Sequence, residues 1–385
     1  MTQVIFTERW DYMKVVAAID SFKGSMTSME AGNAVKKGIL AAKPDAEVWL
    51  SPLADGGEGT VDALIEGLGA EKIPVTVTGP LGEKVSCYYG FLEETKSAVM
   101  EMASAAGITL VTKKDPLRAS TYGVGEMIAD ALKCGCKNFI IGIGGSATND
   151  GGIGMLKALG FEFFDEDGND VGEGAAALAK ITEIRTENKN PLLSGAKFQI
   201  ACDVKNPLCG KQGATYIFGP QKGVTEEQKE QVDEAMRHYA DVTKESLDCD
   251  FADCEGAGAA GGLGYAFLSY LAGELIPGVE LILQATGLEE KMKNADVVVT
   301  GEGRLDAQTV MGKAPAGVAA LAKKYNVKVI AFAGSVAPEA KVCNRAGIDA
   351  FFPIVRGVAT LEEAMKKENA MENIAATAEQ VFRLL

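Results

Sequence analysis

Apolar residues along the 385-residue chain fall into short β-branched runs, separated by stretches in which they recur at helical spacing. KVVAAI (Lys14–Ile19) predicts a buried strand, and the loop DSFKGS leads from it to a helix over about 29–41. Glu47–Leu50 predicts a second strand, followed by SPLADGGEGT and a helix over about 60–66. Near the C-terminus DVVVT (Asp296–Thr300) runs into GEGRLDAQT, VKVIAF (Val327–Phe332) into AGSV, and AFFP (Ala350–Pro353) precedes the final helices. Two such units at the start and three at the end predict one five-stranded, flavodoxin/Rossmann-like parallel sheet built from both chain ends. Residues 77–285 then form a second α/β domain inserted between 1–76 and 286–385. It opens with consecutive strands turning at Gly79–Gly82 and Glu93–Glu94, and continues with a helix over 122–132 and strands at 138–143 and 197–201.

Composition narrows the function classes. At 47% hydrophobic and 24% charged the chain reads as an ordinary globular protein, long enough for two cores. No apolar run is long enough to span a bilayer, and MTQVIFTERWDYMK lacks a secretory pattern, so a soluble cytoplasmic protein is expected. A net charge of −15 argues against nucleic acid as a partner, and requires that an anionic substrate meet a local cluster of cations and backbone N–H groups. The eight cysteines are scattered without a metal-ligand spacing, which reads as separate thiols. The single histidine, His238, lies in a charged helical stretch, so mechanisms built on a His base or His ligands are set aside. Phosphoryl transfer needs neither, because positioning and charge neutralisation supply most of its catalysis.

In a doubly wound sheet, ligands bind beyond the carboxyl ends of the strands. After the first strand comes Asp20-Ser21-Phe22-Lys23, after the second Asp55-Gly56-Gly57-Glu58, and after the third Glu302, Arg304 and Asp306, with Lys313 shortly beyond. Carboxylates with Lys and Arg at one edge are what a Mg²⁺-phosphate site requires. For one loop alone, helix capping and tight turns explain the same residues equally well. Three loops at one sheet edge favour the functional reading. In the middle, GIGGSATNDGGIG (Gly142–Gly154) is dense enough in glycine to cradle phosphates with backbone N–H groups from Gly144, Gly145 and Ser146. It is neither a P-loop nor a dinucleotide fingerprint, and Asn149 and Asp150 suit a metal–nucleotide site better than NAD. Asp203, in ACDVKNPL, reads equally as metal-associated or as a turn cap. Ala259–Gly264 (AAGGLG) reads as close helix packing.

Taken together, AIDSFKGSMTS, PLADGGEGT, GPLG, MASAAGI, TYGVGEMI, IGIGGSATNDGGIGML, ACDVKNPL, GPQKG, GAAGGLGYA and TGEGRLDAQTVMGKAP resemble the bacterial glycerate kinase family, the glycerate 2-kinase type unrelated to P-loop kinases. The likeness runs from about residue 13 to the C-terminus. It implies ATP-dependent phosphorylation of D-glycerate with Mg²⁺, at the 2-hydroxyl, by two α/β domains with the site in the cleft between them.

The roles follow from chemistry. Lys23 and Arg304 would hold the substrate carboxylate and flanking phosphate oxygens, and Asp20 would orient the attacking hydroxyl with Ser21 beside it. Asp306 joins this catalytic group. Asp55, Glu58, Asp150, Asp203 and Glu302 are the candidates for Mg²⁺ or its waters. Ser21, Gly56, Gly57, Gly144, Gly145, Ser146, Asn149 and Lys313 are those for phosphate and substrate. The alternatives are a NAD-dependent hydroxy-acid dehydrogenase and a small-metabolite sensor. Partners are small molecules, glycerate and ATP, with neither nucleic acid nor membrane; homo-oligomerisation stays open.

Overall fold

A computed structural model describes residues 12–53 and 60–385. The chain begins with β1 (Lys14–Ile19), the helix Ser28–Ala42 and β2 (Glu47–Pro52). Thr27 caps that helix, its hydroxyl accepting the Glu30 N–H at 3.2 Å while the Glu30 carboxylate accepts the Thr27 N–H. The middle of the chain then contributes β3 (Glu71–Thr78), β4 (Lys84–Leu92), β5 (Ser97–Glu101), β6 (Asn138–Gly142), β7 (Glu162–Phe164), β8 (Glu183–Arg185), β9 (Lys197–Ala201) and β10 (Glu274–Ile276). The C-terminal part returns with β11 (Val297–Leu305), β12 (Lys328–Val336) and β13 (Ala350–Pro353), ending in the helix Lys367–Phe382.

Two compact units result, residues 1–55 with 282–385 and residues 56–281. The terminal unit holds a five-stranded sheet in the order β13-β12-β11-β1-β2, every neighbouring pair parallel. This is the flavodoxin-like order, with the switch of direction between β1 and β11. Its central strands β1 and β11 are buried on both faces where they pair and read there as unbroken runs, KVVAAI and VVV. Val15, Ile19, Val299 and Phe332 pack with Val35, Ile39 and Ile374 from the helices.

The middle unit has a six-stranded mixed sheet, β10-β9-β6-β5-β4-β3, in which β3, β4 and β5 are antiparallel neighbours and β5, β6, β9 and β10 are parallel. A separate core of Phe139, Met155, Phe163, Tyr239 and Phe267 lies within it. The boundary expected near residue 76 falls about twenty residues earlier, at Asp55. The reason is β3, which pairs with β4 along its whole length from Glu71↔Phe91 to Thr78↔Lys84. Only its second half, VTVT before the turn at Gly79, is read as a strand from the sequence; Pro74 and the two-sided exposure suit its edge position. All eight cysteines are free thiols. Among the described residues, no helix is long and apolar enough to cross a membrane.

Candidate functional site

In the terminal unit the parallel strands deliver side chains to one edge. The Asp20 N–H donates to the Gly301 carbonyl at 2.9 Å, so Asp20 continues the β1–β11 pairing while its side chain sits where the strand ends. Asp20 is only 5% exposed, and Oδ1 accepts the Ser21 N–H at 2.6 Å. Phe22 and Met26 exchange backbone hydrogen bonds across a tight turn, with Gly24 at φ +77°. That left-handed turn leaves Lys23 exposed at its tip.

β11 supplies the second group. Glu302 is 6% exposed; Oε1 accepts the Thr309 hydroxyl at 2.6 Å and Oε2 pairs with Lys313 Nζ at 3.1 Å. Arg304 lies exposed with Nε 3.5 Å from Asp306 Oδ2. Asp306 caps the short helical turn Ala307–Val310, accepting the Gln308 N–H at 2.9 Å.

A cavity of about 640 Å³ joins these loops, lined by Asp20, Ser21, Lys23, Glu302, Arg304 and Lys313 among others. Six residues picked out from three separate stretches of sequence therefore share one space. Asp306 is not on its lining; it holds Arg304 from beside it. Asp55, Gly56, Gly57 and Glu58 lie outside the described residues. Ser25, which the sequence reading passed over, also lines the cavity, and its buried hydroxyl has no hydrogen-bond partner among the described residues. A buried orphan hydroxyl is costly unless a ligand completes it.

In the middle unit the loop after β6 borders a smaller cavity of about 200 Å³, lined by Gly144, Gly145, Ser146, Asp203 and Lys222 among others. Asn149 and Asp150 are wholly buried. The Asp150 carboxylate accepts the Thr121 N–H and hydroxyl, both at 2.8 Å, and the N–H groups of Gly152 and Gly154. Burial raises its pKa, and those donors pull the other way. With its oxygens turned inward to four donors, Asp150 is a brace for the glycine loop, which corrects its candidacy as a metal ligand. Asn149 donates to Thr215 Oγ1 at 3.1 Å, and its Oδ1 has no partner among the described residues. Asp203 accepts the N–H of Gly278 at 2.8 Å, 75 residues away at the start of the helix Gly278–Ala285, a contact that neither of its two readings, a metal ligand or a cap of the turn before Pro207, foresaw.

Lys222 is the residue the sequence reading missed. It appeared only within GPQKG, and nothing local marks a lysine as interior. It is 2% exposed, and Nζ donates to Ser146 Oγ at 2.6 Å and to the Thr148 carbonyl at 2.7 Å. Burial pushes its pKa down to about 7, against the pull of the Asp150 carboxylate. An ammonium has three donors, and the third has no partner among the described residues.

The fit to Mg²⁺ rests on donor chemistry. Among the described residues no three His, Cys, Asp or Glu side chains cluster as a metal cage. Mg²⁺ that arrives with a nucleotide needs no such cage, because one or two carboxylates with phosphate oxygens and water suffice. Asp20 and Glu302 put hard carboxylate oxygens into the cationic cavity, and that set fits.

Residues 15–385 match the Glycerate kinase family. A Glycerate kinase from Bacillus subtilis (strain 168) is 45% identical over 371 residues, covering 96% of this chain and 97% of the relative. A Glycerate 2-kinase from Escherichia coli (strain K12) is 45% identical over 372 residues, covering 95% and 98%. The crystal structure of a candidate glycerate kinase 2 from Salmonella typhimurium LT2 superposes with a TM-score of 0.89 at 44% identity, over 97% of this chain and 98% of that one. The chain belongs to the glycerate kinase family.

Proposed function

We propose that this kinase transfers the γ-phosphoryl group of ATP to the 2-hydroxyl of D-glycerate, using the cavity of the terminal unit. The observation that carries the reading is the convergence of Asp20, Lys23, Glu302, Arg304 and Lys313 on one space. Membership of the glycerate kinase family supports it, and favours a kinase over a dehydrogenase or a sensor. Working in the cytoplasm on small anions suits a chain of net charge −15 whose cations gather locally.

Lys23 and Arg304 receive the glycerate carboxylate and flanking phosphate oxygens, Arg304 through its planar fork, steadied by Asp306. Lys313 meets nucleotide phosphate, and would exchange its pairing with Glu302 for phosphate oxygen. Asp20 accepts a hydrogen bond from the attacking hydroxyl and aims it in line with the leaving group. A loose transition state asks little of a base, so Asp20 works mainly as an orienting group. Ser25 Oγ is available to a ligand oxygen. When bound, Mg²⁺ neutralises charge on the phosphate oxygens; Glu302 would hold it or its waters, with Asp55 and Glu58 expected beside it from the sequence. In the middle unit, Gly144, Gly145, Ser146 and Asn149 carry the proposal that this loop takes phosphate oxygens, and Lys222 supports it with an open ammonium donor.

ADP release with D-glycerate, and phosphorus NMR of the product, test the reaction and its position. Asp20→Asn and Lys23→Ala should each lower kcat/KM at least a hundredfold, consistent with ~3 kcal/mol of lost transition-state binding. Near-normal turnover in both would reject this cavity as the reaction site. A rise in KM alone would reduce the residue to uniform binding.

A further inference from the structure

The terminal cavity is larger and more apolar than its acceptor requires. At about 640 Å³ it falls in the range that encloses drug-sized ligands, whereas glycerate is a three-carbon acid with oxygen on every carbon. Its lining also divides by chemistry. The strand-end loops give it the cations and carboxylates described above. The segment from 354 to 373 gives it Ile354, Val355, Leu361, Ala364 and Met365. Two of these are unusually exposed for apolar side chains, Leu361 at 76% and Met365 at 37%. Both sit on the short helix Leu361–Met365, fixed at its start by the Thr360 hydroxyl, which accepts the Glu363 N–H at 3.2 Å. A small, fully polar acid would gain nothing from such a wall.

Two polar residues line the cavity from that same segment, Thr360, whose hydroxyl is taken up in capping the short helix, and Asn373. Asn373, on the helix Lys367–Phe382, lines it, and no hydrogen bond of its amide occurs among the described residues. A carboxamide offers one acceptor and two donors in a plane, the complement of an adenine edge, which presents an amino donor beside a ring-nitrogen acceptor. A ligand with a flat apolar face, a paired donor and acceptor, and an anionic tail uses every part of this lining.

We propose that the wall of Ile354, Val355, Leu361, Ala364 and Met365 receives the adenine of ATP, with Asn373 reading its edge and Arg304 and Lys313 meeting its phosphates. The terminal unit is thereby the one that binds the nucleotide base. This inference rests on the kinase reading above and adds to it the base's position.

Photolabelling the full chain with 2-azido-ATP, followed by peptide mapping, reads the position directly. Label should fall between residues 354 and 373, and excess ATP should suppress it. Label on Gly144–Asn149 or Ala201–Lys222 with the 354–373 segment clean, or no ATP-protected label at all, overturns the proposal. Ala364→Trp fills the apolar end from a half-buried position. It should raise KM for ATP at least tenfold, with KM for glycerate within twofold and the melting temperature unchanged. An ATP KM within twofold of the parent, in a variant that melts normally, also overturns it. The two readings fail separately. Wild-type protein that phosphorylates glycerate but takes label elsewhere loses only the adenine site. Protein labelled at 354–373 but inert toward glycerate keeps the adenine site and loses the acceptor.

Discussion

Lys222 carries an ammonium group inside the middle unit, and its hydrogen bonds to Ser146 and Thr148 offset only part of the cost of burying it. In the folded protein it titrates near 7, against an ordinary 10.5. Below about pH 7 both folded and unfolded chains hold the proton, so stability does not depend on pH through this group. Above it, the unfolded chain keeps the proton that the folded chain releases, and stability rises with pH. The slope cannot exceed about 1.4 kcal/mol per pH unit, and the window closes in practice near 8.5, where free thiols begin to titrate. Urea titrations of the wild-type protein between those limits should show a gain of up to about 2 kcal/mol, and Lys222→Met should flatten it by half or more. Equal pH slopes in the two proteins would mean that the ammonium is hydrated in solution. Neither Lys222 nor Asp150 was legible in this respect. The bracing donor for Asp150 lies 29 residues away at Thr121, and Ser146 lies 76 residues from Lys222. Side chains of these types on a loop or a helix end are commonplace, and only the fold turns them inward.

Elements were far more legible than partners. β1, β9 and β13 match the strands expected of them residue for residue, and β1, buried at five of its six positions, leaves the unbroken apolar signal of a strand covered on both faces. β3, with one edge and both faces partly wet, leaves a signal only in the VTVT that precedes the turn at Gly79, and its first half was missed. The segment after β13 illustrates a different limit. From the sequence it is only a stretch leading to the final helices, and which of its residues line a cavity depends on the strand ends beside it. The glycine-dense loops show where sequence density did carry structural meaning. Gly261, at φ +71°, packs so closely that a Cβ there would overlap the Thr148 carbonyl oxygen, and its own carbonyl accepts the Gly151 N–H at 2.9 Å. The reading of AAGGLG as close packing fits this contact, which holds the helix Leu263–Leu271 against the loop after β6. Gly195 isolates the backbone cost, since φ is +77° there and nothing lies within 4 Å of an added Cβ. Gly195→Ala should cost about 1 kcal/mol, the left-handed strain alone. Gly261→Ala adds the collision and should cost about 3 kcal/mol or more, measured by thermal unfolding. Similar losses at the two sites would remove the packing argument.

At the scale of the molecule, the order of units along the chain makes a prediction that neither loops nor strands make alone. The middle unit is one continuous segment, with its own six-stranded sheet and a core of Phe139, Met155, Phe163, Tyr239 and Phe267. The terminal unit is assembled from both chain ends, and β1 pairs with β11 across the whole insertion. Long-range pairing of that kind carries a closure cost that the middle unit does not bear. A continuous segment of this length also buries roughly 70% of its unfolded surface, enough for a self-sufficient core. Residues 56–287, cut just after the helix Gly278–Ala285 so that Leu281 keeps its contacts with Ala201 and Ile276, should therefore fold alone. The chain's two tryptophans, Trp10 and Trp49, both fall outside this fragment, so its unfolding can be followed by tyrosine fluorescence and far-ultraviolet circular dichroism without interference. The expected outcome is one cooperative transition with native-like helix content. A broad, non-cooperative melt would show instead that the insertion depends on the sheet into which it is inserted, and that the two cores form a single folding unit.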